Sequence, residues 1–336
     1  MKKRNLMGVA LVAIALFGCS EIETTGVAQN QMIGFDAYAN KVSRASVDAT
    51  VLGHDAFSVF GQYDVETTPQ TPFNGTSVIY NTSTPAWEYN PLIPWVPGKT
   101  YVFGAIAPIS TAASMNYKTK TYSFNSATVI DQVTQKDILV ATPVEVTAAA
   151  AGGGNNSVAF TFNHILSKLG FSFAVDKTTG NAWEGEIAIE ITGFQMTNVV
   201  KSATYTNSVW TNYGSEKATF TTAPSLTTSY DGALTVAHST REFFVLPQTL
   251  GTQKVTLTLQ IQDLHGNIIE DNVQATAVLT ATDNEWKSGY KYHYTFYLGK
   301  NLLSGATGQE DIYIVFDVQQ LSDWTTENVD IETAKP

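Results

Sequence analysis

The sequence predicts an all-β protein built as two tandem β-sandwiches. Three observations carry this. Apolar and polar residues alternate with period two through most of the chain, as in strands with one buried face. Aromatic residues reach 11% while charged residues are only 15%, and Thr, Val, Ser, Tyr and Phe are abundant, the usual composition of sheets. No long stretch places apolar residues at helical spacing. Short segments punctuated by Gly, Asn and Pro favour sandwiches over strand–helix–strand units.

The alternation defines the elements in order. Ile33, Phe35 and Ala37 form one face of a first strand. Further strands are expected around Phe57/Val59, Tyr101/Phe103/Ala105, Ile138–Val146, Val158/Phe160/Phe162, Leu169/Phe171/Phe173/Val175 and Ile187/Ile189/Ile191. Val255, Leu257, Leu259 and Ile261 alternate with polar residues, turn at Asp263–Asn267 and resume at Ile268 and Ile269, as in a hairpin. Tyr290, Tyr292, Tyr294, Phe296 and Leu298 face one way, with Lys291, His293 and Thr295 opposite. Ile312, Ile314, Phe316 and Val318 predict one last strand of this kind. The Ala/Gly/Asn stretch from Ala148 to Asn156 is expected to be a loop between strands. A chain this long exceeds one ordinary core. The short polar break within Asn163–Leu169 is the expected boundary between units at 27–167 and 168–336.

The N-terminus has the shape of a signal peptide. Lys2, Lys3 and Arg4 precede an apolar run, Leu6–Gly18, too short to cross a bilayer comfortably. Leu16-Phe17-Gly18-Cys19 then resembles a lipobox, the site where bacterial lipoproteins are cut and acylated. Residues 1–18 would leave as signal, and 19–26 would form a lipidated tether through Cys19, the sole cysteine. Several acyl chains anchor far more firmly than one. The alternative is an ordinary signal with a chance cysteine. Without residues 1–18, 16 basic groups face 30 acidic ones, a formal charge of −14. That excludes a nucleic-acid partner, which needs a basic surface, and suits a soluble surface protein.

Little points to catalysis. His54, His164, His238, His265 and His293 show no metal-ligand spacing, and His164 is expected to be a core histidine. Thr282–Trp286 groups acids but is expected to be a turn rather than a calcium loop. No enzyme activity and no cofactor are expected. A glycan-binding surface lipoprotein is the alternative to a structural protein, with Trp87, Trp95, Trp183, Trp210, Trp286 and Trp324 available as sugar platforms.

Five stretches in order resemble the fimbrillin family, the type V pilins of Gram-negative anaerobes, most of all its Mfa-like branch. They are Pro94–Pro108, Asp137–Val146, Val158–Phe173, Phe243–Leu250 and Glu285–Leu298. The resemblance implies two transthyretin-like sandwiches and a subunit, stalk or anchor, of a fimbria at the outer membrane. It implies export as a lipoprotein and a cut after an arginine by a trypsin-like protease. The cut frees the first strand, and a strand from another fimbrial subunit takes its place. By this resemblance the scissile bond is Arg44-Ala45 and the displaced strand carries Ile33, Phe35 and Ala37. Besides Arg4 and Arg44 the chain has only Arg241, which opens an expected strand. Arg44 could equally be a solvated loop charge. The candidate donor is the segment with Val329, Ile331 and Thr333 at period two, which could equally be the last strand of its own domain.

Overall fold

The structure, a computed structural model, describes residues 32–39, 52, 54–110, 112–125, 136–150, 157–180, 182–183, 185–222, 226–230, 236–238, 242–304, 312–313 and 315–321. It is nearly all β, with one helical turn at Asn301–Ser304 among the described residues. Cys19, Arg44, Ala45, Arg241, Trp324, Val329, Ile331 and Thr333 lie outside the described residues.

The first sheet has eight strands. It contains β1 (Phe35–Ala39), β2 (Ala56–Tyr63), β3 (Gln70–Asn81), β4 (Ala86–Glu88), β5 (Thr100–Ala107), β8 (Leu139–Ala141), β9 (Val144–Thr147) and β10 (Val158–His164). Their order is β1-β10-β8-β5-β2-β3-β4, with β9 also on β5. The segment Ile138–Val146, expected as one strand, is two. Pro143 lacks an amide hydrogen and separates them, so β8 and β9 share the same edge of β5 in succession. The sheet curls so that its ends approach: the Tyr89 hydroxyl, just beyond β4, donates to the Ile33 carbonyl at 2.7 Å, just before β1. The enclosed core is strongly aromatic, with Phe57, Phe73, Tyr101, Phe103, Phe160 and Phe162 all at most 1% exposed.

Two further sheets face each other in the second half. One contains β11 (Ser167–Val175), β17 (Val236–His238), β18 (Phe243–Val245), β23 (Lys291–Leu298) and β25 (Val315–Leu321). The other contains β12 (Ile187–Val200), β15 (Lys217–Thr222), β16 (Leu226–Tyr230), β20 (Lys254–Asp263), β21 (Ile268–Val278) and β24 (Ile312–Tyr313). A small ladder, β19 (Gln248–Thr249) with β22 (Glu285–Trp286), stands beside them. The alternating apolar residues of β11, β12, β20 and β23 form the core between the layers. Two details differ from expectation. The strand expected over 312–318 is two, because the chain crosses from one layer to the other between β24 and β25. Ile268 and Ile269, at the start of β21, are 57% and 48% exposed, beyond the reach of the core.

The two halves are joined by a sheet that period-two reading does not predict. The strands β6 (Ser114–Asn116) and β7 (Thr121–Asn125) come from the first half. Their partners β13 (Thr204–Thr206) and β14 (Val209–Thr211) come from the second. Tyr205 pairs with Phe124, and Trp210 packs on both rings. The Trp210 indole donates to the Ile165 carbonyl at 2.7 Å, in the two-residue link between β10 and β11. Behind β7, Tyr122 donates to the Ala141 carbonyl at 2.7 Å and accepts from the Ala105 amide at 3.1 Å. Gly104 makes room for it: a Cβ there would lie 2.5 Å from the Tyr122 oxygen. Burial holds that hydroxyl far above the usual phenol pKa.

Candidate functional site

The candidate site is β1 and the groove it fills. Ile33, Phe35 and Ala37 point inward and are 1%, 3% and 0% exposed, while Gly34, Asp36 and Tyr38 face outward and are half-buried. This is the alternation read from the sequence. Phe35 sits in an aromatic box, with ring centroids 5.2 Å from Phe73, 5.3 Å from Tyr89, 6.0 Å from Phe103 and 5.7 Å from Phe160. Such spacings add attraction beyond burial alone.

Among the described residues the backbone of β1 takes part in one ladder. It lies at the end of the sheet and runs parallel to β10, its one strand partner among the described residues, from Phe35 opposite Val158 to Ala39 opposite Phe162. Just before it, the Ile33 amide donates to the Ile93 carbonyl at 2.9 Å, and Met32 bridges Pro94. Gly34 lies close to Ser157; a Cβ on it would be 3.1 Å from the Ser157 hydroxyl. So, among the described strands, β1 ends its sheet, and its side chains complete the core. Taking it away would expose the edge of β10 and empty the aromatic box. Each buried backbone group left unsatisfied costs about 1–3 kcal/mol.

The chain leaves β1 at Ala39 and is described again at Leu52 and His54, both 4% exposed. Arg44 and Ala45 fall between these points. A cluster of titratable groups stands where the chain returns. The His164 Nδ1 at the end of β10 pairs with Oδ2 of Asp137, just before β8. The His54 ring hydrogen-bonds the Asp137 backbone, while its Nδ1 and the Asp137 Oδ1 are buried without partners. His164 is therefore a half-buried, hydrogen-bonded strand-end residue rather than the core histidine expected, because the alternation that buries Phe160 and Phe162 ends with the strand. Among the described residues no three His, Cys, Asp or Glu side chains are placed to hold a metal.

Burial, followed by the charge of Lys136, lowers His54 from 6.5 to about 4, against weaker opposing effects of the Asp137 backbone and Asp55. Burial raises Asp137, and His164 opposes that rise. Below pH 6.5 an unfolded His54 binds a proton that the folded chain refuses. Stability is therefore expected to fall between pH 6.5 and about 4, by up to about 3 kcal/mol from this group. Asp137 contributes oppositely: its stabilisation is present in acid and lost as pH rises through its elevated folded value. Denaturant unfolding of wild type and His54→Phe across this range should show the acid loss reduced in the variant. Equal slopes would reject the assignment.

The acidic turn and the described tryptophans are packed or paired within the fold. In Thr282–Trp286, Asp283 pairs with Lys287 and Asn284 turns at φ 54°. The five described tryptophans are buried, Trp87 at 8%, Trp95 and Trp183 at 6%, Trp210 at 8% and Trp286 at 0% exposure. None of these five is an exposed sugar platform. Sequence reading also missed Tyr89, which ties Ile33 to the far end of the sheet; its position just past a short strand carries no periodic signal. No described helix is long and apolar enough to cross a membrane.

This fold, a curled sheet joined to a two-layer sandwich, is shared over most of its length with solved fimbrial and cell-adhesion proteins. It is similar to a fimbrial protein from Bacteroides vulgatus, with 17% identity, a TM-score of 0.57, and coverage of 88% of this chain and 99% of that one. It is also similar to two proteins named "putative cell adhesion protein". The one from Bacteroides uniformis has 17% identity and a TM-score of 0.50; the one from Bacteroides ovatus has 15% and 0.51. For each, the match covers 88% of this chain and 99% of the other. The chain belongs to the fimbrillin-like family, whose model matches residues 43–311. Among curated protein sequences, none matches it.

Proposed function

We propose that this fimbrillin-like chain is a structural subunit of a surface fimbria, stalk or anchor. In this reading it is exported as a lipoprotein acylated at Cys19 and assembled by strand exchange after proteolysis at Arg44-Ala45. The units that build it are the two sandwich domains at 27–167 and 168–336. Its partners are other fimbrial subunits, an arginine-specific trypsin-like protease, and the outer membrane through its lipid.

One observation supports this above the others. Among the described strands β1 ends its sheet and fills the core, and Arg44 follows it in the sequence, ahead of the buried Leu52. A cut there leaves β1 joined to the rest by non-covalent contacts alone. An incoming strand would restore the ladder on β10 and refill the box, as in strand addition at sheet edges.

The test is direct. Full-length protein treated with a trypsin-like protease should give a product beginning at Ala45, then fibres visible by electron microscopy. A first cut at Arg241, or a cut product that stays monomeric, would reject this route. In cells, Cys19→Ala should move the protein out of the membrane fraction; normal retention would reject the tether.

A further inference from the structure

The second half carries a groove of about 450 Å³ that strand exchange does not use. It is lined by the turn from β19 to β20, the end of β12, the loop from β14 to β15 and the start of β22. Two buried glutamines, at most 5% exposed, hold the turn. Gln253 Oε1 accepts from the Gly251 and Thr252 amides at 3.0 and 3.2 Å. Its side-chain amide donates to the Asn198 carbonyl and to Gln248 Oε1, both at 3.2 Å. Gln248 Oε1 also accepts from the Val200 amide at 2.9 Å, which ties the turn to β12. The facing loop is braced as well. The Gly214 amide donates to the Ser202 carbonyl at 2.9 Å, and a Cβ on Gly214 would collide with the Ser202 hydroxyl. Lys201 and Glu216 pair at 3.1 Å beside it.

On this rigid frame the groove keeps uncommitted side chains. Tyr213 is 45% exposed. Burial, followed by the charge of Glu285, raises its hydroxyl above the usual phenol pKa, so Glu285 lies near the tyrosine tip. Lys217 and Glu285 are exposed, and neither side chain is ion-paired among the described residues. The groove in the first half differs: its Lys99, Lys118 and Lys120 are spent on Asp64, Glu66 and Glu145 at 2.7, 3.2 and 2.7 Å.

We propose that the groove binds an uncharged sugar ring of a glycan, with Tyr213 against the apolar face of the ring and Lys217, Glu285, Thr249 and Thr252 bonding its hydroxyls. A pyranose has a face of C–H groups and a rim of hydroxyls that both donate and accept. The groove answers each part. Tyr213 offers an apolar face with a polar tip. Lys217 only donates, Glu285 only accepts, and the two threonine hydroxyls do either. One positive and one negative side chain cancel, so a charged ligand gains no net attraction, and the acidic chain repels anionic glycans. The braced turn and loop leave little to order on binding. The site lies within one uncut chain and does not depend on strand exchange.

The test uses full-length, uncut protein. Maltotriose, cellotriose, lactose and N,N′-diacetylchitobiose are titrated by saturation-transfer NMR and calorimetry, with 3′-sialyllactose as the charged comparison. At least one neutral saccharide should bind with a Kd of about 1 mM or below. Tyr213→Ala should weaken that binding about tenfold or more, while Tyr213→Phe keeps the ring and most of the affinity. Lys217→Met and Glu285→Gln should each weaken it severalfold. Lys118→Met, in the other groove, should change nothing. All of these side chains are exposed, so thermal unfolding of the variants should match wild type. Failure of all four neutral saccharides to bind would overturn the site. So would binding that ignores Tyr213→Ala, which places the sugar elsewhere. Tightest binding to 3′-sialyllactose would make Lys217 the centre of an anion site and reject the uncharged ligand.

Discussion

Phe35→Ala is expected to destabilise the protein by about 3–5 kcal/mol, the usual loss for truncating a buried phenylalanine in a packed core. The residue is 3% exposed and touches four aromatic rings belonging to three strands and the Tyr89 segment. Those rings are held by their own strands and cannot collapse fully into the space, so the cavity persists. The loss falls on the strand that ends the sheet among the described residues, so it should loosen β1 before the rest of the sheet. Two measurements follow. Denaturant unfolding gives the stability loss, and hydrogen exchange should show the β10 amides facing β1 losing protection first. Tyr38→Ala, on the outward face of the same strand, is the control and should cost well under half as much. A Phe35→Ala loss below about 1 kcal/mol would mean that the groove does not depend on this side chain.

Trp210→Ala should have an effect of similar size at a different place, about 3–5 kcal/mol. The indole is 8% exposed, packs on Phe124 of one half and Tyr205 of the other, and bonds the link between β10 and β11. The Ile165 carbonyl keeps a second donor, Ser288 Oγ at 2.9 Å, so the loss is one of packing rather than of an orphaned acceptor. Because the seam between the halves is what weakens, thermal unfolding should split into two transitions. A single cooperative transition with little loss would show that the four-stranded sheet does not couple the halves.

The sequence shows best what period two encodes. Strands with one buried face, such as β10 and β20, were legible because each alternating residue meets the same core, and β5 and β11, buried on nearly every residue, were legible from their large apolar residues at every second position. The inward set of β1 was legible for the same reason. Long-range partners were not. The three-residue strands β6, β13 and β14 are too short to show a period, and their pairing across the halves depends on a tertiary approach. The break at Pro143 has a local cause in its missing amide, yet neighbouring apolar residues masked it. The His54–Asp137–His164 cluster was invisible because its members are far apart in sequence and each looks ordinary alone. Family likeness, rather than residue chemistry, singled out Arg44.

The mixed sheet of β6, β7, β13 and β14 also bears on mechanics. Two lobes strung on a bare tether would swing like links of a chain, and each swing would absorb pull as slack. Here a hydrogen-bonded seam spans the divide, so tension applied to one lobe passes to the other through backbone bonds loaded together. In a filament of such units, bending would concentrate at the contacts between neighbours, and its stiffness would be set there.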